Sequence, residues 1–188
     1  MTDTQQNDLD ITVQSPGKYS LGVTFGVITG LVYIVLLLIR YSFFAYSPVA
    51  YNTFAFIAYI LILASFFFCG VQRKKQLGGY AETKEIFLTL FIAVLITEAT
   101  YVLFNYVYLA FIDPDFQNKY PQVVHDYLVQ KGVSTEKVQA IVDKIKEQYH
   151  TITTSVVANA MGFGVWVVID GILCLIFSLA IRKPRPQY

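Results

Sequence analysis

Residues 82–116 read ETKEIFLTLFIAVLITEATYVLFNYVYLAFIDPDF, and the fold turns on that stretch. Between positions 86 and 112 lie 27 residues with one formal charge, Glu98, close to the middle. A run of roughly 20 apolar residues is enough for a helix to cross a bilayer. A carboxylate at the centre of such a helix costs on the order of 2.5–3.5 kcal/mol on insertion scales and marks a place to look for function. The stretch leaves the apolar phase at Asp113-Pro114-Asp115. There Asp113 is expected to cap a new helix, with Pro114 at its first position.

Three more crossings follow by working outward. Positions 19–39 carry no charge and are flanked by Lys18 and Arg40. Gly22, Gly26 and Gly30 recur every four residues there, which places them on one helix face and lets another backbone approach closely. Positions 41–71 are uncharged, 31 residues, more than one crossing needs. Ser47-Pro48 divides them, because Pro suits a helix start and disfavours helix in the residue before it. The second crossing is therefore expected at 49–71. Tyr41, Phe43, Phe44, Tyr46 and Tyr51 then fall at the turn, as an aromatic belt at the membrane interface. The last crossing lies at 156–181 with one charge, Asp170, and with Gly164, Gly171 and Ser178 as a packing stripe every seven residues.

The remaining segments are polar. Residues 1–17 form an acidic tail, expected to be disordered and cytoplasmic. It has no basic start followed by an apolar core and a cleavage site, so no removable signal peptide is expected. Residues 113–152 carry charges of both signs. Apolar positions there step by three and four, interrupted at Gly132 and Ser134, which predicts a helical hairpin. Four crossings put both ends on one side of the membrane. Lys18, Arg73, Lys74, Lys75, Lys84, Arg182, Lys183 and Arg185 fall on that side, so it is expected to be the cytoplasm. The reading is an all-α membrane protein: a four-helix transmembrane bundle, 18–188, with an extracytoplasmic helical hairpin between the third and fourth crossings.

Function is less legible. The net charge of +1 gives no field for nucleic acid. Cys69 and Cys174 lack metal or redox spacing and read as small core residues. His125 and His150 have no second ligand at helical spacing, and Asp113 with Asp115 lacks a calcium-loop pattern. No motif for a hydrolase, nucleotide or haem enzyme occurs. No enzyme activity, metal or cofactor is therefore expected.

The buried acids offer the one candidate site. Glu98 and Asn105 are seven residues apart, Asn159 and Asp170 eleven, so each pair shares a helix face. The two polar stripes are expected to face each other inside the bundle. No Lys or Arg in the expected crossings can neutralise the acids, so the pair is expected to hold at least one proton. Two functions stay open. One is a structural or accessory protein that binds other membrane proteins, or further copies of itself, through its glycine faces and hairpin. The other is an oligomeric transporter conducting protons or a cation along Glu98 and Asp170.

The segment from Gly78-Gly79-Tyr80 through the third crossing to the FIDPDF run at 111–116 resembles a family of small bacterial membrane proteins, common in Bacteroidetes and known only as a domain of unknown function. The glycine-rich first crossing and the basic C-terminus are similar too. Glu82, Lys84 and Glu85 depart from that family's more apolar pattern after the GGY loop, and Asp170 aligns with no acidic position of it. The resemblance implies four helices in a bacterial inner membrane and transfers no catalytic residue.

Overall fold

The computed structural model describes residues 19–184. The tail at 1–17, Lys18 and Arg185 lie outside them. Among the described residues there are six α-helices: α1 (Ser20–Ile39), α2 (Pro48–Gln76), α3 (Thr83–Val107), α4 (Phe116–Gln130), α5 (Thr135–Thr154) and α6 (Val156–Ile181). Four spans are long and apolar enough to cross a membrane: Ser20–Phe44, Pro48–Gln76, Thr83–Ile112 and Val156–Ile181.

Local chemistry sets most of these ends. Ser47 caps α2 by accepting the Ala50 N–H at 3.4 Å, with Pro48 at the first helical position. Glu82 and Glu85 close a capping box on α3. Ser155 caps α6 through the Ala158 N–H at 3.2 Å. α2 runs past position 71 to Gln76, where Arg73, Lys74 and Lys75 oppose the negative end of the helix dipole. Lys74 Nζ also donates to Ile181 O at 2.7 Å, capping α6 from its neighbour.

Three expectations need correcting. The first crossing does not stop at 39. The Arg40 N–H still bonds to Leu36 and Leu37 carbonyls, and a wide π turn, Arg40–Phe44, carries the helix on. Arg40 therefore lies within a span. Asp113 does not cap α4, because its N–H donates to Tyr108 O at 2.8 Å and closes a second π turn, Tyr108–Ile112. The helix starts at Phe116, two residues beyond the expected position, with Asp115 before it. The aromatic belt is also only partial. Phe43 and Tyr46 are exposed, but Tyr41 and Tyr51 are buried.

The four long helices alternate in direction. Gly22, Gly26 and Gly30 of α1 meet Thr89, Ala93 with Ile96, and Thr100 of α3 in the same order, so α1 and α3 run parallel. The approach is close. A Cβ on Gly22 would sit 2.5 Å from Thr89 O, and one on Gly26 2.8 Å from Ile96 Cβ. Thr97 Oγ1 donates to Gly26 O across this seam at 3.4 Å. The start of α1, the α2–α3 loop and the end of α6 share one end, called here the termini side. An antiparallel bridge between Ala81 and Lys183 joins the last two. At that end Phe66, Cys69, Ile86, Leu90 and Cys174 form a tightly packed apolar core. The other end holds an aromatic core of Tyr41, Tyr51, Tyr108, Phe116, Tyr120 and Tyr149, contributed by both π turns and by α2, α4 and α5. Tyr41 stacks on Tyr108 at 4.4 Å. α4 and α5 pack on each other through a turn at Gly132, whose φ is +73°.

Candidate functional site

Glu98 of α3 and Asp170 of α6 lie side by side, with 4% and 0% of their surfaces exposed. Antiparallel helices can match two mid-span residues in depth, and the seven- and eleven-residue spacings turn both inward. Asp170 Oδ1 accepts the Tyr59 hydroxyl of α2 at 2.6 Å, so three helices meet at this carboxyl. Asp170 Oδ2 is buried and receives no hydrogen bond from an ordinary donor. Glu98 faces it, but two ionised carboxylates only accept. A proton on either carboxyl would supply the missing donor.

The amides behave differently. Asn105 Nδ2 donates to Tyr101 O at 2.8 Å, and its Oδ1 accepts the Tyr41 hydroxyl. Asn159 Nδ2 donates to Ile152 O at 2.7 Å. Neither touches the acids. Both line one cavity of about 250 Å³ beneath α5, together with Gln148 and Trp166.

Sequence reasoning missed Arg40 and Tyr59. A second cavity, about 240 Å³, is walled by Tyr33, Tyr59, Tyr101 and Trp166, and includes both Glu98 and Arg40. A cation inside a span thus borders the space beside the acids, against the expectation that none would. Arg40 makes no ion pair among the described residues. Its Nε–H donates to Tyr51 O at 3.3 Å, and its guanidinium lies 3.7 Å from the Tyr51 ring centroid. A third cavity of about 270 Å³ continues from Arg40 and Tyr101 towards Asn52, Gln148 and Tyr149. Burial pushes the Tyr149 phenol up, so it stays neutral and serves as a hydrogen-bonding wall. The signal for Arg40 was its position seven residues after Tyr33, on the same helix face. The signal for Tyr59 was its place on the same face as Tyr51 and Ala55.

The other candidates lie apart. His125 pairs with its neighbour Asp126 at 3.0 Å, while Asp113 and Asp115 face Lys119 at 3.2 and 3.9 Å. Among the described residues no group of three His, Cys, Asp or Glu side chains comes together. Gly22, Gly26 and Gly30 are occupied by α3, whereas a Cβ on Gly164 would meet nothing and one on Gly171 only Phe91 at 3.5 Å. Ser178 is buried and turns its hydroxyl to Cys174 O at 2.6 Å.

The model of a family described as "Protein of unknown function (DUF4199)" matches residues 24–183. No curated protein and no solved structure matches.

Proposed function

The chain belongs to that family of unknown function, and from its geometry we propose that it is a multi-pass membrane protein whose working part is a proton-holding pair, Glu98 and Asp170. One observation carries this reading: two fully interior acids from different helices share a contact without a bonded cation, beside a cavity. Intramembrane acids are expensive, and those facing a cavity are the usual sites of proton or ion handling. Tyr59 orients the pair, and the cavities past Arg40 offer a polar route towards the α4–α5 end.

A hydrophobic carbodiimide adds to carboxyls that carry a proton in an apolar setting. The purified protein should gain the adduct on the peptide holding Glu98 or Asp170. The Glu98→Gln/Asp170→Asn double variant should lose it. A wild-type protein that stays unmodified at both residues while folded would remove the proton.

An accessory role, binding other membrane proteins or a second copy, is favoured by α6, which leaves Met161, Val165, Val168 and Ile172 exposed around the open Gly162 and Gly164. The α1 glycine face no longer supports it, since α3 fills that face. For orientation, the basic flanks support a bacterial inner membrane with the termini side cytoplasmic. A cysteine at Lys131 should react with an impermeant thiol reagent on intact cells, and one at Gln76 should not. The reverse pattern would invert the molecule.

A further inference from the structure

The cavity between Glu98 and Arg40 has opposite charges that do not pair. Their heights follow from α2. Arg40 packs on Tyr51, and the acid pair bonds to Tyr59, eight residues further along the same helix. The two contacts lie about two turns apart along α2, and Arg40 makes no ion pair with either carboxyl among the described residues. The space between is walled by aromatic rings. Tyr33 and Tyr101 stack on each other at 5.1 Å, and Tyr59 lies 6.1 Å from Trp166.

Each end is incomplete in a complementary way. Arg40 has five N–H donors, and Nε–H alone finds an acceptor among the described residues. Its terminal nitrogens can still bind an anionic group in the bidentate geometry that guanidinium favours. The acid pair with one shared proton keeps one negative charge. Aromatic faces beside it suit an ammonium, which they attract through their π-electrons. A lone anion would meet the acids, and a lone cation would meet Arg40.

We propose that this cavity binds a small zwitterion, its cationic group against Glu98 and the aromatic walls and its anionic group on Arg40. Arg40 and the acids line one space without pairing, which suits an occupant whose two charges are separated by several bonds, an ω-amino acid or a phosphocholine-like group. The proposal rests on the proton-holding reading for the single negative charge at the acid pair. The same chemistry can arrive as a free solute or as a zwitterionic lipid headgroup.

Trp166 is the single tryptophan of the chain and lines the cavity, so its fluorescence reports occupancy directly. The full chain would be placed in nanodiscs of phosphatidylglycerol alone and titrated with 5-aminopentanoate and with phosphocholine. At least one should change Trp166 emission saturably. Pentanoate and pentylamine should bind at least about tenfold more weakly, and Arg40→Gln should weaken the zwitterion by a similar factor. Glu98→Gln should do the same. If that variant fails to fold, Arg40→Gln and the single-charge analogues decide. Discs containing phosphatidylcholine separate the sources. A headgroup occupant shifts the emission by itself and blocks the soluble probe, whereas a solute site responds equally in both discs. Equal binding of the singly charged analogues, an Arg40→Gln variant that binds as tightly, or no response to any probe or lipid would overturn the zwitterion. Carbodiimide labelling of the acids in that same preparation keeps the outcomes apart. Labelling without a zwitterion response removes this proposal alone, and absent labelling removes the reading beneath it.

Discussion

The seam between α1 and α3 and the space between α2, α3 and α6 are built from the same kind of helix and differ in what fills them. In the first, three glycines bring two backbones so close that an added Cβ collides, and the threonines of α3 bond to backbone carbonyls. The second is filled by polar and aromatic side chains. Glu98, Asp170 and Tyr59 meet there, and cavities continue past them to Arg40. Lipid tails are as apolar as leucine, so helices in a membrane gain nothing by merely hiding apolar surface from it. They associate either by fitting closely or by pairing polar groups. This molecule separates the two solutions, and the polar one is where space remains for a second molecule.

The largest expected effect tests the close seam. Gly26→Leu should cost about 3 kcal/mol, because overpacking a tight contact forces backbone movement. The matching Gly164→Leu places its side chain in open space and should change stability by less than about 0.5 kcal/mol. Thermal unfolding in one detergent measures both. Equal losses would dissolve the contrast. A smaller effect tests the polar side. Tyr59→Phe removes the hydroxyl on Asp170 and should cost about 1 kcal/mol, as hydrogen bonds between membrane helices do. A loss as large as that of Gly26→Leu would show that the acids also hold the bundle together.

The sequence carried the features that act over short distances. The break at Ser47-Pro48 was legible because capping and proline chemistry are local. The last crossing was placed by its apolar run, and the Ser155 cap at its start was not read from the sequence. The meeting of Glu98 with Asp170 followed from depth and helix register alone. Arg40 was misplaced because a charge at the edge of an apolar run reads as the end of the run. Only the tertiary aromatic cluster shows that a π turn carries the helix on, with Tyr41 drawn against Tyr108. The two asparagines were placed on the right faces, yet each spends its amide on a backbone carbonyl of the α5 end or of its own helix. No spacing rule distinguishes that from a side chain turned towards the acids.

The bridge between Ala81 and Lys183, with Lys74 on the last carbonyl of α6, gives the bundle a floor. Above it Phe66, Ile86 and Leu90 pack closely, while the spaces around Arg40 and Tyr101 lie towards the opposite end. The polar cavities therefore lie on the α4–α5 side of the acid pair, and the close-packed core lies on its termini side.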